Sequence, residues 1–260
     1  MLKGRILRIE KLSSFDGDGL RTVVFLKGCS LRCQWCSTPE SQEAATDFGV
    51  LRGKCTRCMT CVQTCPETAI RYDPDQGRFV THMGRCSDCR QCVSQCPSGA
   101  RTAYGYTASV GETLAEIAKD SVFYYHSGGG VTVSGGEPFL QAEFLQDLLR
   151  GCLLQGINTA VETCGQAPWH HIEPVLPYID TLFYDLKHLD DAAHTRLTGV
   201  GNRRILENLK RIDARKRPQR LIVRVPVIPG VNDGNDNLRA LGEFCRDLAR
   251  LEEIQLLPYH

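Results

Sequence analysis

The stretch VTVSGGEPFLQAEFLQDLLRGCLLQGINTAVET, residues 131–163, decides the fold. It opens with one β-branched run, VTVS at 131–134, and closes with another, NTAVET at 158–163. Between them, residues 139–155 place leucine and phenylalanine at spacings of three and four, the period of an amphipathic helix. Strand, helix and strand in so short a span imply a parallel pair joined by a crossover. The pattern recurs along the chain. Strands are expected at 22–27 (TVVFLK), 181–187 (TLFYDLK), 221–227 (LIVRVPV) and 253–257 (EIQLL), with a further helix at 237–250. This predicts a parallel α/β sheet, either doubly wound or closed into a full or partial barrel. In such folds chemistry gathers at the carboxyl ends of the strands.

The chain has 260 residues and 14 cysteines, 11 of them between Cys29 and Cys96. At roughly 100–200 residues per domain this is one large domain, or one medium domain with a small one. A chain of this length buries a core without disulfide staples, and the cysteines are too closely spaced for a secreted disulfide scaffold. The first residues lack the apolar core of a signal peptide, and no apolar run reaches the roughly 20 residues of a membrane span. A net charge of +1 gives no overall field for nucleic acid or a membrane surface, so neither is an expected partner. The expectation is a cytoplasmic protein whose reduced thiols bind metal.

Residues 50–103 interrupt the alternation with little helix or strand pattern and eight cysteines. They contain a repeat, CTRCMTCVQTCP from Cys55 and CSDCRQCVSQCP from Cys86. Each reads C-x2-C-x2-C-x3-C-P, the spacing of bacterial two-cluster ferredoxins, in which the fourth cysteine of each run ligates the other cluster. The crossed assignment puts Cys55, Cys58, Cys61 and Cys96 on one 4Fe–4S cluster, and Cys86, Cys89, Cys92 and Cys65 on the other. A pair of zinc sites is the alternative, but zinc does not require the third cysteine and the C-P ending twice.

A second grouping, GCSLRCQWC, follows the strand at 22–27 and spaces Cys29, Cys33 and Cys36 as C-x3-C-x2-C. Three thiolates leave the fourth iron of a cubane open to bind a substrate. This spacing resembles the radical SAM superfamily, in which S-adenosylmethionine (SAM) chelates the open iron and is cleaved to a 5′-deoxyadenosyl radical. Ser134-Gly135-Gly136-Glu137-Pro138 after the strand VTV resembles the superfamily's GGEP segment, which holds the methionine ammonium. The ordered motifs Asp16-Gly17-Asp18-Gly19, Glu162-Thr163-Cys164-Gly165, Asp185-Leu186-Lys187, Arg224 with Val227-Ile228-Pro229-Gly230, and Leu257-Pro258-Tyr259-His260 extend the likeness over nearly the whole chain. Together they resemble the activating enzymes of glycyl radical enzymes, of the type with a ferredoxin-like insert.

That resemblance implies a partial (β/α)6 TIM-like barrel from residues 1–49 and 104–260, with the two-cluster insert at 50–103. It implies three 4Fe–4S clusters, SAM, and a deoxyadenosyl radical that removes the Cα hydrogen of a glycine in a partner glycyl radical enzyme. Trp35 would lie near adenine, Lys187 would hold the SAM carboxylate, and His260 would contact SAM. Gly135, Gly136, Glu137 and Arg224 belong to the same SAM-binding set. Glu162, Thr163 and Asp185 match a monovalent-cation (Na or K) site, and Asp16 would lie near the incoming glycine. Flavodoxin or ferredoxin would supply electrons, which the insert clusters would relay, unless they serve to dock the partner. A monomer is expected. Lys187–Asp185 as a plain exposed pair and His260 as a residue without a role are the bland alternatives.

Three features depart from the family pattern: Asp18 replaces the usual proline, Ser37-Thr38 precedes Pro39-Glu40 in place of a more usual Asn-containing pair, and the chain stops at LLPYH where relatives continue. The ending leaves two readings, a truncated chain or a more open barrel end. Cys152, Cys245 and Cys164 are expected to pack, and the six histidines before His260 to lie on the surface. The basic run at 210–220 reads as a solvated face or a docking patch. Two rivals stand: a radical SAM enzyme of the sulfatase-maturing type, whose auxiliary cysteines usually follow the barrel, and a non-catalytic ferredoxin-like carrier, which leaves the three-cysteine loop unexplained.

Overall fold

The computed structural model describes residues 2–215 and 220–258. Its strands, in chain order, are β1 (Lys3–Ser13), β2 (Arg21–Leu26), β3 (Asp47–Val50), β4 (Ile70–Asp73), β5 (Arg78–Thr81), β6 (Arg101–Tyr104), β7 (Tyr106–Ser109), β8 (Gly130–Gly135), β9 (Asn158–Thr163), β10 (Thr181–Asp185), β11 (Arg220–Val227) and β12 (Leu251–Pro258). The chain divides into two compact units, residues 1–44 with 107–260, and residues 45–106. Among the described residues no helix is long and apolar enough to cross a membrane.

The larger unit is built on one sheet in the order β12-β11-β10-β9-β8-β2-β1-β7. From β2 through β8 to β12, every neighbouring pair is parallel, and the spatial order follows the chain order. Right-handed crossovers in strict sequence place their connecting helices on one face of the sheet. The opposite face is left to line a site. All six strands expected from sequence are present, with ends moved by a residue or two, except that β10 stops at Asp185 and leaves Leu186 and Lys187 in the following loop.

β1 escapes a sequence search for parallel strands because it is antiparallel to β2 and carries Lys3, Arg5, Arg8, Glu10 and Lys11. Register shifts break its alternation, and Ile6 and Leu7 are both buried. The expected helix at 139–155 begins instead with a 3-10 turn, Pro138–Gln141, and runs as an α-helix over Ala142–Leu154. Proline fits this first turn because its missing N–H would have no intrahelical partner there. The helix packs Phe144, Leu145, Leu148, Leu149 and Cys152 inward, beside the fully buried Val131, Val133 and Val161 of the sheet. The second expected helix, 237–250, runs over Asn235–Arg246 and buries Leu241 and Cys245.

Residues 45–106 contain more regular structure than their sequence pattern suggests. β3 pairs antiparallel with β6, and β4 with β5. These strands of four residues are too short to show a period. The unit extends beyond 50–103 because β3 begins at Asp47 and pairs through to Tyr104. One-turn helices occupy Thr60–Gln63 and Gln91–Ser94, 31 residues apart like the cysteines. The repeat is also visible in the backbone. Left-handed conformations occur at Arg57 and Asp88, at Met59 and Arg90, and at Thr68 and Gly99. Non-glycine residues held at positive φ cost free energy and collect where a loop is shaped round a ligand.

Backbone crowding at Gly136 gives a direct check. A Cβ there would stand 2.1 Å from the Gly28 carbonyl oxygen and 3.0 Å from that of Ser41. Gly242, on an exposed helix face, would meet nothing within 4 Å. Gly136→Ala should lower stability by about 1–3 kcal/mol or more, whereas Gly242→Ala should raise it by about 0.5–1 kcal/mol. Anaerobic urea unfolding of the two variants reads the difference.

Candidate active site

The cysteine loop begins where β2 ends. It is tied by two backbone bonds and one side chain: Cys29 N–H donates to the Gln42 carbonyl (2.9 Å), Arg32 N–H to the Thr198 carbonyl (2.7 Å), and Ser30 Oγ to the Gln166 carbonyl (2.8 Å). Cys29, Cys33 and Cys36 are half-buried. The Leu31 amide faces the Cys29 sulfur at 3.4 Å. Burial pushes the Cys33 thiol up to about 11, and neighbouring Cys29 and Cys36 act in the same direction while Lys187 opposes them. Three thiols this close resist ionising together unless positive charge stands among them. That is the condition an iron cluster satisfies, since thiolates are its ligands.

The SGGEP turn sits directly against this loop. Gly136 N–H donates to the Leu26 carbonyl (2.9 Å) and Glu137 N–H to that of Gly28 (2.8 Å). Gly135, at φ +112, has no room for a side chain because Leu26 backbone would lie 2.3 Å from its Cβ. The glycines therefore allow one backbone to approach another at the cluster loop. Glu137 does work that its sequence motif conceals. It is fully buried, and its carboxylate accepts from Thr163 Oγ1 (2.7 Å), Cys164 N–H (2.9 Å), Cys164 Sγ (2.9 Å) and Phe139 N–H (3.1 Å). These bonds join the turn to the end of β9. Burial raises its pKa despite these donors.

Cys164, expected simply to pack, belongs to this network, and its thiol is the main influence drawing the Cys29 thiol down. Thr163 donates its hydroxyl to Glu137 and accepts the Gly165 N–H (2.8 Å). Lys187, in the loop after β10, stands 2.9 Å from the Asp185 carboxylate with 12% of its side chain exposed. The pair is part-buried, contrary to the exposed-pair alternative. Burial disfavours the ammonium, but Asp185 and the sulfurs of Cys33 and Cys164 outweigh it and hold the lysine charged. Trp35 is half-buried. His260 lies outside the described residues.

Deeper on the same sheet face, Arg224 pairs with Glu162 and donates to Gln255 Oε1 (2.9 Å), with its guanidinium 3.6 Å from the Phe183 ring centroid. Glu162 also accepts from Ser134 Oγ (2.6 Å). Burial raises the Glu162 pKa, Arg224 opposes the rise, and the charges of Asp16 and Asp185 add to it. Asp16 therefore faces the same interior, held by Ser13 through its carboxylate and by Thr132 Oγ1 on its carbonyl (2.7 Å). Asp18, where the family pattern has proline, pairs with Arg220.

Three buried asparagines were not legible as site residues. Asn232 donates to the carbonyls of Lys187 (2.9 Å) and Pro226 (2.7 Å), Asn202 to those of His188 and Leu189, and Asn208 to those of Gly165 and Ala167. Each fixes a loop at a strand end. Their only sequence signal is an amide among apolar helix or turn neighbours. The surface expectation fails for His194, which is buried with Nδ1 2.6 Å from the Val200 carbonyl, while His171 and His188 are half-buried. Cys152 and Cys245 are buried as expected. Of the basic run, Lys210 and Arg211 are exposed, and residues 216–219 lie outside the described residues.

In the smaller unit two cavities divide the eight cysteines. Cys55, Cys58, Cys61 and Cys96 line one; Cys65, Cys86, Cys89 and Cys92 line the other. Each cavity takes its fourth cysteine from the other repeat. Arg101, beside the first cavity, has a buried Nε with no hydrogen-bond partner. A donor so placed suits an acceptor held in the cavity, as the sulfur of a cluster would be. Among the described residues, no three His, Cys, Asp or Glu side chains gather as a site for a single metal ion.

The Glu162–Arg224 pair yields a pH-dependent test. A raised carboxylate pKa means that the neutral form favours the folded state, and this contribution is lost as pH rises through the folded pKa. Arg224→Met removes the opposing cation, so the variant should lose about 3 kcal/mol at pH 8. The deficit should shrink towards pH 5 as Glu162 takes up a proton, read by unfolding midpoints at both pH values.

The radical SAM superfamily model matches residues 23–241. The isethionate sulfite-lyase activating enzyme of Oleidesulfovibrio alaskensis is 46% identical over 99% of this chain and 84% of that protein. The (2S)-3-sulfopropanediol dehydratase activating enzyme of Klebsiella oxytoca is 42% identical over 98% of this chain and 82% of its own length. A radical SAM methyltransferase structure from Sphaerobacter thermophilus, 16% identical with a TM-score of 0.52 over 96% of this chain and 66% of that one, shares the fold. The chain belongs to the radical SAM superfamily and, within it, to the activating enzymes of glycyl radical enzymes.

Proposed function

We propose that this activating enzyme is a partial (β/α)6 barrel carrying a ferredoxin-like insert, with one catalytic 4Fe–4S cluster and two auxiliary ones. The observation that carries the reading is the unequal division of thiols: three at the carboxyl end of β2, and four in each cavity of the smaller unit. Cys29, Cys33 and Cys36 would hold the catalytic cluster and leave one iron for SAM. Once reduced, that cluster supplies the electron that breaks the sulfonium C–S bond and frees the deoxyadenosyl radical, which takes a glycine Cα hydrogen from the partner.

The residues of this chain bind, orient and exclude water. Lys187 is held charged beside the cysteine loop and offers its ammonium to the SAM carboxylate, with His260 as a second contact. Glu137 works indirectly: it keeps Gly135, Gly136 and the cysteine loop in register, so that backbone groups meet the methionine end. Asp16 and Arg224 line the interior where the glycine would enter. A monovalent cation at Glu162, Thr163 and Asp185 would compete with bonds that these side chains already make, so dependence of cleavage on sodium or potassium tests that part separately.

An electron from flavodoxin or ferredoxin would enter through the clusters of Cys55/Cys58/Cys61/Cys96 and Cys65/Cys86/Cys89/Cys92. The partner is proposed to be a glycyl radical enzyme acting on a small C2 or C3 sulfonate, as the names of the two relatives imply for their partners. Isethionate sulfite-lyase is the first candidate.

The test is anaerobic reconstitution with iron, sulfide, reductant and SAM. The wild type should form 5′-deoxyadenosine, and Cys33→Ala should reduce its formation at least 100-fold. With unlabelled isethionate sulfite-lyase an organic doublet should appear in the electron paramagnetic resonance (EPR) spectrum; with its glycine deuterated at Cα, the deoxyadenosine should carry deuterium and the doublet should collapse. Cleavage without a doublet would redirect the search to another glycyl radical enzyme. Undiminished cleavage by Cys33→Ala would remove the catalytic assignment.

A further inference from the structure

The two cavities of the smaller unit are alike in cysteine count, but not in charge. Arg101 is 3% exposed and is the single charged side chain, cysteines apart, among the described residues lining the Cys55/Cys58/Cys61/Cys96 cavity. One end of its guanidinium donates to Thr81 Oγ1, and the group lies 5.7 Å from the Phe48 ring centroid. Its Nε has no acceptor. The other cavity is lined by Glu67 and Arg90. Arg90 already faces the Asp88 carboxylate at 3.3 Å and donates to the Gly105 carbonyl at 2.8 Å. Arg101 lines the first cavity with no carboxylate paired to it among the described residues, and reaches the second only through Thr81 and Phe48; the second cavity is itself lined by a cation with a carboxylate beside it and a second carboxylate on its wall.

Resting on the reading that both cavities hold 4Fe–4S clusters, we infer that Arg101 is a positioning residue that makes the Cys55/Cys58/Cys61/Cys96 cluster the more oxidising of the pair. Reduction adds one negative charge to a cluster whose thiolates already make it anionic. A buried cation and an N–H donor to sulfur both favour that added charge, and these are among the levers that set iron–sulfur potentials. Little water competes with Arg101 at 3% exposure. The Arg90–Asp88 pair largely cancels its own field at the second cavity. Electrons within the insert therefore run downhill in one direction. With clusters bound, Cys65, Cys86, Cys89 and Cys92 would hold the one that gives up an electron, and Cys55, Cys58, Cys61 and Cys96 the one that takes it.

The experiment uses the full chain with Cys29, Cys33 and Cys36 changed to alanine, reconstituted so that only the insert clusters remain. An EPR-monitored redox titration should resolve two one-electron couples. Arg101→Gln should lower the reduction equilibrium constant of the higher couple about tenfold, about 59 mV for one electron. The lower couple should move by less than a third as much. Arg101→Lys, which keeps the charge, should restore most of the difference. No shift, equal shifts in both couples, or a lysine variant as low as the glutamine variant would overturn the assignment. Iron content separates the two levels of failure. Less than two clusters' worth in the parent chain removes the two-cluster reading and this inference with it, whereas full iron with unmoved couples removes only the role of Arg101.

Discussion

The buried carboxylate of Glu137 is the constraint on which the candidate site depends. Its amide is bonded to the Gly28 carbonyl at the root of the cysteine loop, and its side chain accepts from Thr163, Cys164 and Phe139. One residue therefore joins the ends of three consecutive parallel strands, β2, β8 and β9. A buried carboxylate is tolerated only when its lone pairs are satisfied, and removing any donor leaves a costly unpaired group. The arrangement is accordingly stiff. Gly135 and Gly136 complete it by letting the turn lie against Leu26 and Gly28 with no side chain between them.

Above this stitch the site is organised by charge. Lys187 is kept cationic by Asp185 and the nearby sulfurs, and Arg224 is paired with Glu162. These opposed charges stand on the sheet face that the helices leave open. A part-buried ion pair contributes little net stability, since desolvation offsets attraction. It does fix the position of each side chain, which a cofactor bound through carboxylate and ammonium groups requires. The buried asparagines at 202, 208 and 232 act likewise on the loops, satisfying carbonyls that helix and strand geometry leaves free.

Much of this was legible beforehand, for identifiable reasons. The parallel strands showed because buried β-branched runs are distinctive, and the cluster cysteines because metal ligation demands fixed spacing. β1 was hidden by its charges and register shifts, and β3 to β6 by their length of four residues. Glu137 was legible as a site residue but its bonding partners were not, because a motif records a residue type and not the direction in which its side chain points. His194 was misjudged because nothing local says that the helix over Asp191–Thr198 turns that face inward.

The sequence by itself determined the order of the six strands in the parallel run and of two helices that join them, the grouping of eleven cysteines as three, four and four, and the repeat offset of 31 residues. These are properties of spacing along the chain, and spacing survives without coordinates. Only the tertiary structure decided which groups are spent on one another: Thr163 and Cys164 on Glu137, Arg224 on Glu162, and Arg101 on no acceptor at its Nε. Hydrogen bonds and ion pairs act over a few ångströms between residues far apart in sequence. Their partners are set by how the strands stack and which way each side chain faces, and by no local pattern.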